Sequence, residues 1–443
     1  MPSPGPRECL ARARAAQGAA ACAHRLEVPL ARHLAARTGT AAALRAIDAA
    51  AGGGYYAIPP EAEQDPAAAE EALGGEEVVV DVQTHFVASG RTRSPGMQGV
   101  LAFIREVAPE RFAGLQRGTS LCFAEYLRCL FLESETAVAV LTAAPGAESH
   151  NILPNAEIQA TQEILNRTAG SGRLLHHAIV HPEVAGEIDG LEALVSAGRP
   201  AGFKVYTLYG SPGHPGGWML DDPEVGLPFL ERSRALGVPL VCAHKGLSGL
   251  APTGSPRDVG PAALAFPDLQ LLVYHAGYEL PADENDEEGA YGEAQAGRGT
   301  NRLVHSLRRA GIGPGANVHA ELGSTWAVLL RHPHEAAHVL GKLLLAVGED
   351  NLLWGTDSVW YGPAQPLIDA FRAFQIPEAL CERHGYPVLT AERKAKILGR
   401  NAARLYGIDL AAAGARARAD EFSWVAAALR EARQRGIFDA GSA

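Results

Sequence analysis

Short runs of β-branched and other apolar residues recur along the chain from residue 78 onward, separated by longer stretches with helical periodicity or turn residues. Most of these runs are nearly continuous in apolar residues, which is typical of strands covered on both faces in a parallel sheet. We predict eight strands, at residues 78–82, 137–141, 174–180, 202–206, 239–243, 269–274, 317–321 and 351–355. Eight such repeats predict an α/β fold with a closed (β/α)8 TIM-like barrel. A doubly wound open sheet is the competing architecture, but no GxGxxG motif follows the first strand.

The segments on either side of this repeat have a different pattern. The N-terminal segment is rich in Ala, with helical periodicity over residues 30–50 and an acidic, Pro-containing stretch at 59–71 that we interpret as a linker. Two further helices are predicted at residues 392–406 and 415–435. The chain is therefore divided into an N-terminal helical extension and linker, a barrel and a C-terminal helical tail, at residues 1–75, 76–410 and 411–443.

Metal-binding side chains follow four of the predicted strands. His85, His244 and His275 come at or just after the ends of strands 1, 5 and 6, and Asp357 comes just after strand 8. In a (β/α)8 barrel the carboxyl ends of the strands meet at one rim, where the chemistry is carried out. Neutral imidazole and carboxylate groups are good ligands for zinc, iron or manganese, and a catalytic site leaves one position open for water or substrate. The pattern predicts a metal-dependent active site.

The sequence resembles the amidohydrolase superfamily, in the branch that includes aminocarboxymuconate-semialdehyde decarboxylase. The resemblance covers roughly residues 78–407 and is carried by five motifs: Val-Asp-Val-Gln-Thr-His (80–85), Ala-His-Lys-Gly (243–246), Tyr-His-Ala-Gly (274–277), Trp-Gly-Thr-Asp-Ser (354–358) and Lys-Ile-Leu-Gly-Arg-Asn-Ala-Ala-Arg-Leu-Tyr-Gly (396–407). It implies that His85, His244 and Asp357 bind the metal and that His275 joins them or orients the substrate. It also implies that Asp357 acts as a general base.

Gln83 departs from the family's pattern, which has a histidine at this place in strand 1. An amide oxygen is a poorer zinc ligand than imidazole but is acceptable to a harder cation. Gln83 is either close to the metal or hydrogen-bonded to the substrate or to the barrel wall. We expect one or two divalent ions per chain, zinc first, with iron or manganese as the alternatives.

Lys204 lies on strand 4, where some binuclear members of the superfamily carry a carboxylated lysine between two metals. The alternative is a salt bridge inside the barrel to Glu321 or Asp81, because a buried charge needs a partner. If Lys204 and Glu321 both reach a metal, the site is binuclear.

Three further residues are candidates for substrate contact or for supporting the site. Glu279 follows His275 and is either another ligand or base, or a structural carboxylate. Trp360 and Tyr361 follow Asp357, and either receive a flat or hydrophobic substrate or pack against the barrel.

The charge of the chain limits its partners. A formal net charge of −11 argues against nucleic-acid binding, which needs a clustered basic face. No run of about 18 apolar residues predicts a membrane span, and the first residues do not have the pattern of a secretory signal. We expect a cytoplasmic enzyme with a small-molecule substrate, and a homodimer is the oligomer that the resemblance suggests.

Four functions remain open. The leading hypothesis is metal-dependent hydrolysis of an amide, lactone or related bond by metal-activated water. The alternatives are non-oxidative decarboxylation of a small carboxylic acid, oxygen activation at a dinuclear iron site, and a catalytically silent binding barrel.

Overall fold

The protein folds as a closed barrel of parallel strands in the computed structural model, which describes residues 36–116, 120–144, 151–208, 216–281 and 286–435. The strands, in chain order, are β1 Val79–Thr84, β2 Thr136–Leu141, β3 Leu174–Ile179, β4 Gly202–Tyr206, β5 Leu240–His244, β6 Gln270–Tyr274, β7 Val318–Glu321 and β8 Leu352–Leu353. Each strand pairs in parallel with the next. The end of β8 closes on β1, where Val82 N donates to Trp354 O at 3.0 Å and Asp357 N to Gln83 O at 2.9 Å. The predicted barrel is confirmed.

Helices surround the barrel on its outer side. They are α1 Arg37–Ala50, α2 Pro66–Leu73, α3 Pro95–Val107, α4 Pro109–Gln116, α5 Phe123–Leu127, α6 Asn155–Ala169, α7 Glu187–Ala197, α8 Gly226–Ala235, α9 Val259–Ala265, α10 Asn301–Ala310, α11 Thr325–Leu329, α12 Pro333–Ala346, α13 Gln365–Ala373, α14 Glu378–His384, α15 Ala391–Ala395, α16 Asn401–Tyr406, α17 Leu410–Ala417 and α18 Glu421–Gln434. Within the described residues, no helix is long and apolar enough to cross a membrane. Residues 1–35 of the predicted extension and the last eight residues lie outside the described part of the chain.

The stretch at residues 59–71, interpreted from the sequence as a linker, contains part of α2. Asp65 caps the helix by accepting a hydrogen bond from Ala67 N at 2.9 Å, and Pro66 stands at its first turn, where a missing N–H is tolerated. Ala69 and Leu73 are fully buried. The other acidic residues of the stretch lie on the exposed side of α2, at Glu70 and Glu71, and in the 3-10 turn Pro60–Glu63 that precedes the helix.

β8 is shorter than predicted, because a segment from the C-terminal region takes over its backbone hydrogen bonds. Trp354 N donates to Ile397 O at 3.1 Å, and Asn401 Nδ2 donates to Leu352 O at 2.8 Å. Ile397 and Asn401 belong to the Lys-Ile-Leu-Gly-Arg-Asn motif, and Gly399 of that motif lies against the carbonyl oxygen of Val78. This motif therefore stabilises the junction between β8 and β1, which we call the seam of the barrel. It lies away from the strand-end residues.

A hydrogen-bonded chain of aromatic residues fills the barrel beneath the rim. Tyr274 Oη donates to Val82 O at 2.9 Å and lies 2.9 Å from His177 Nδ1. His177 Nε2 is in turn 3.0 Å from the hydroxyl of Tyr406. Tyr274 and His177 are fully buried and Tyr406 is partly buried, so the interior is a packed polar core and not a channel.

Gly399→Ala should lower the free energy of unfolding by about 1–3 kcal/mol, because the added methyl group would collide with the backbone oxygen of Val78. Gly190→Ala in α7 is the matched control, since nothing lies within 4 Å of its added Cβ, and it should raise stability by about 0.5–1 kcal/mol. Calorimetric unfolding of both variants measures the difference. Equal stability of the two variants would contradict this account of the seam.

Candidate active site

Four of the residues predicted from the sequence stand together at the C-terminal rim of the barrel. His85 follows β1, His244 ends β5, His275 follows β6 and Asp357 follows β8. The side chains of His85, His275 and Asp357 are buried, whereas His244 is partly exposed. The four form two hydrogen-bonded pairs.

The first pair joins His85 to Asp357. His85 Nε2 lies 2.9 Å from Asp357 Oδ1, and its other ring nitrogen, Nδ1, lies 2.8 Å from Thr142 O. A carbonyl oxygen only accepts, so Nδ1 carries a proton and Nε2 is the atom turned to the carboxylate. The contact between Nε2 and Oδ1 therefore needs a shared proton or, in its place, a cation.

The second pair joins His244 to His275. His275 Nδ1 lies 2.7 Å from Gly323 O and therefore carries a proton, which leaves Nε2 to accept from His244 Nδ1 at 3.0 Å. Burial lowers the pKa of both imidazoles, to about 4 for His275. Neutral imidazoles are the form that binds metals.

Four residues at this rim have a positive φ angle without being glycine. They are His275, Ala276, Ser324 and Asp357, with φ angles of 63°, 52°, 54° and 59°. This conformation is unfavourable for side chains with a Cβ and is retained where the surroundings determine it. His275 N donates to Glu321 Oε2 at 3.2 Å, which holds the backbone at that position. These strained backbone positions therefore lie just after β6, β7 and β8, where the side chains face a common centre.

The Asp357 carboxylate is held from several sides. Trp360 Nε1 donates to Oδ1 at 3.0 Å, and the hydroxyl of Ser324 donates to Oδ2. Tyr361 in turn donates to Ser324 Oγ at 2.8 Å. Burial favours the neutral acid, but the hydrogen bond and charge of His85 outweigh it and lower the pKa of Asp357 to about 2. The group is a fixed anion with both oxygens engaged.

Gln83 and Glu321 lie side by side beneath this rim, in space left by two glycines. A Cβ at Gly323 would collide with Gln83 Oε1 and Glu321 Oε1, and a Cβ at Gly355 would also collide with the Glu321 carboxylate. Burial raises the pKa of Glu321 well above its usual value. Gln83 Oε1 is buried and has no hydrogen-bond partner, which leaves one oxygen donor free near the histidines.

Lys204 forms neither of the salt bridges expected for it. Its ammonium nitrogen is buried without a hydrogen-bond partner and lies 3.2 Å from the ring centroid of Tyr274 and 4.7 Å from that of Tyr206. Asp81 instead accepts hydrogen bonds from Thr356. The π faces of the two tyrosine rings compensate part of the buried ammonium charge. Burial lowers the pKa of Lys204 to about 7.

Glu279 is bound to neighbours outside the two histidine pairs. Its Oε1 accepts from Arg302 Nη2 at 2.7 Å, and its Oε2 accepts from Ser248 N at 2.9 Å. These contacts tie the turn after β6 to the turn after β5. Gly246 makes the approach of the two turns close, because a Cβ there would collide with the backbone of Gly277 and Tyr278.

Aromatic rings cover both histidine pairs. Trp360 stacks on His85 with ring centroids 5.4 Å apart and planes inclined by 14°. Tyr206 stacks on His244 at 4.8 Å and 28°. Sequence reasoning singled out Trp360 but missed Tyr206 and Ser324. Tyr206 could have been found as the last residue of a predicted strand, whereas a serine in a turn gives no comparable signal.

The donor set at this rim has the chemistry that a divalent cation requires. Two imidazoles direct Nε2 away from carbonyl partners, Asp357 is ionised, and Gln83 Oε1 is unpartnered. These donor types suit a divalent ion. Within the described residues, no three His, Cys, Asp or Glu side chains are arranged to share one ion, because the donors are paired with each other. The chemistry of the residues fits a metal, and the cation would replace the contacts within the pairs.

The sequence model of the amidohydrolase family matches residues 130–408, which is more than half of the chain. The chain belongs to this family. A comparison with curated protein sequences gives no match. The matched part of this amidohydrolase contains His244, His275 and Asp357, while His85 and Gln83 lie before it.

Several solved structures are similar to this amidohydrolase at low sequence identity. A 2,6-dihydroxybenzoate decarboxylase complexed with 2,6-dihydroxybenzoate is 17% identical, with a TM-score of 0.43, over 75% of this chain and 100% of the other. A 5-carboxyvanillate decarboxylase from Novosphingobium aromaticivorans is 16% identical, with a TM-score of 0.42, over 75% and 97%. An uncharacterized TIM-barrel protein from Bordetella bronchiseptica is 16% identical, with a TM-score of 0.48, over 76% and 99%. At these values the likeness assigns no substrate to this chain.

Lys204→Met should stabilise the amidohydrolase at pH 7 by about 1–3 kcal/mol, because it removes a buried ammonium group that has no hydrogen-bond acceptor. The folded-state pKa of about 7 lies below the usual 10.5, so the unfolded chain holds more protons between these values. Stability of the unsubstituted protein should rise with pH over this window, and the advantage of the variant should shrink. Thermal unfolding at several pH values measures both effects.

Lys245→Met is the control for this prediction. Lys245 is equally buried, but its ammonium group donates to Asp258 Oδ2 at 2.6 Å. Its removal leaves a buried carboxylate without its partner and should cost about 3–5 kcal/mol. A loss of stability in Lys204→Met as large as that in Lys245→Met would show that Lys204 has an acid partner after all.

Proposed function

We propose that this amidohydrolase is a metal-dependent enzyme that removes carbon dioxide from a small, planar carboxylic acid without net oxidation. Membership of the family supports the metal-dependent class. The fixed Asp357 carboxylate is the observation that favours decarboxylation over hydrolysis. The leading hypothesis from the sequence, hydrolysis, becomes the second candidate.

Hydrolysis requires Asp357 to carry a proton from water to the leaving group. A group that does this well has a pKa near the working pH, so that it can both accept and release the proton. The pKa of Asp357 is about 2, and both of its oxygens already accept hydrogen bonds. These properties suit an anion that anchors its surroundings better than a proton carrier.

A divalent cation held by His85, His244 and Asp357, with His275 and Gln83 beside them, would supply the positive charge that binds a carboxylate and stabilises the carbanion character of the breaking bond. In the reaction the bond between the carboxylate and the neighbouring carbon breaks. The electron pair remains on that carbon, which then takes up a proton. We assign His275 Nε2 to take this proton from solvent and pass it to the carbon, because Nδ1 is held by Gly323 O while Nε2 is an acceptor.

The walls of the site support a flat substrate. The rings of Trp360 and Tyr206 stack on those of His85 and His244 and add aromatic surface beside the two histidine pairs. Aromatic faces recognise planar, partly apolar molecules. Burial of His85, His275 and Asp357 keeps water from the reacting atoms, which strengthens electrostatic interactions with a carboxylate.

The freshly purified enzyme should contain about one equivalent of zinc or manganese per chain, measured by elemental mass spectrometry. His244→Ala and Asp357→Asn should each reduce this content at least about tenfold, because each removes a ligand. His319→Gln is the control, since His319 is buried on β7 but bonds to Gln270 Oε1 at 2.8 Å. About two equivalents of iron would instead favour oxygen activation. Retention of full metal content in both ligand variants would refute the assignment.

A panel of aromatic acids, amides and lactones in D2O distinguishes the two candidate reactions. Decarboxylation predicts release of labelled carbon dioxide from a carboxyl-labelled acid and deuterium on the carbon that lost it. Asp357→Asn should lower this rate at least about a hundredfold. Hydrolysis of an amide or lactone, with no release from any acid, would favour the second candidate.

A further inference from the structure

A cleft of about 370 Å³ lies on the outer side of the barrel, away from the rim, between α10, α12 and the residues that end α14. Its apolar walls include Leu307 and Ile312 on one side and Ala346 on the other. The size is at the lower end of the range for small-molecule sites. The cleft is therefore large enough for a short apolar chain or one ring.

An arginine without an acid partner stands at the edge of this cleft. The guanidinium carbon of Arg308 lies 4.3 Å from the ring centroid of Tyr291, and both residues line the cleft. Among the described residues no carboxylate lies within ion-pair distance of Arg308, although the ion pairs Lys342–Glu288 and Arg302–Glu279 form nearby. Arg308 therefore forms no ion pair with a carboxylate in the described part of the chain.

The arginine is also held in place. The hydroxyl of Tyr291 donates to Glu293 Oε1 at 2.8 Å and lies 3.2 Å from His305 Nδ1, so the ring beneath the guanidinium is fixed. A guanidinium group stacked on a ring keeps its N–H edges free, and these edges match the two oxygens of a carboxylate. The contact with the ring restricts the guanidinium group and so lowers the conformational entropy that binding costs.

The inner end of the cleft carries no free charge. Lys342 lines it, but its ammonium group is occupied by Glu288 Oε1 and Gly289 O, each at 2.6 Å. His384 and Tyr386 complete this end as a stacked pair, with ring centroids 5.2 Å apart. The cleft therefore offers one cation at its edge and an apolar, aromatic interior.

We propose that this cleft binds a small amphipathic monocarboxylate, with the carboxylate on Arg308 and the apolar body against Leu307, Ile312 and Ala346. The ligand has one negative charge because one arginine faces it. The site is separate from the strand-end residues and does not depend on the reaction proposed for them.

Isothermal titration of the purified full-length enzyme with octanoate, and with octan-1-ol as the uncharged analogue, tests the proposal. Octanoate should bind at one site per chain, and the alcohol at least about tenfold more weakly, because it lacks the charge-assisted hydrogen bonds. Arg308→Gln should remove this difference. Arg309→Gln, which changes the adjacent exposed arginine outside the lining, should bind octanoate as the unsubstituted protein does.

A second variant tests the location of the apolar body. Gly313 lines the cleft, and a Cβ there would meet no atom within 4 Å, so Gly313→Phe should be accommodated by the fold and should block octanoate. Equal binding of octanoate by Arg308→Gln and the unsubstituted protein would overturn the proposal. So would equal binding of acid and alcohol, or binding that survives Gly313→Phe but is lost in His244→Ala, which would place the ligand at the strand-end rim.

Discussion

The candidate active site depends on the hydrogen bonds that close the barrel between its last and first strands. Asp357 N donates to Gln83 O at 2.9 Å, and two residues further along β1 the His85 imidazole meets the Asp357 carboxylate. These side chains come from opposite ends of the barrel sequence and are neighbours only because the sheet is closed. The Lys-Ile-Leu-Gly-Arg-Asn motif secures the same seam by replacing the missing length of β8. The candidate metal centre can therefore form only when the barrel is closed.

The interior beneath the rim shows what this arrangement costs in stability. A buried lysine without an acceptor, a buried carboxyl group with a raised pKa and an unpartnered amide oxygen all lie within the barrel. Apolar side chains at these positions would stabilise the fold more. Polar groups that are retained despite such a cost are typical of functional sites, where electrostatic fields must be in place before the substrate arrives. The left-handed backbone at His275, Ser324 and Asp357 belongs to the same pattern.

Much of this fold could be predicted from the sequence, since parallel strands buried on both faces leave continuous apolar runs. The positions of His85, His244, His275 and Asp357 could be predicted from those runs, because the carboxyl ends of all strands meet at one rim of the barrel. The contacts of Lys204 did not follow, since the choice between a carboxylate and an aromatic ring depends on barrel packing. The hydrogen bond from Ser324 to Asp357 could not be predicted from the sequence either, because it joins two turns that meet only in the folded chain.

X-ray absorption spectroscopy of the zinc- or manganese-loaded enzyme counts the imidazole ligands of the bound ion and so decides whether a metal centre lies at the strand ends. We expect at least two imidazole ligands together with carboxylate oxygen, and one imidazole fewer in His244→Ala that has been reloaded with excess metal. An ion surrounded only by water and carboxylate oxygens, with a spectrum unchanged in His244→Ala, would contradict a metal centre at the strand ends.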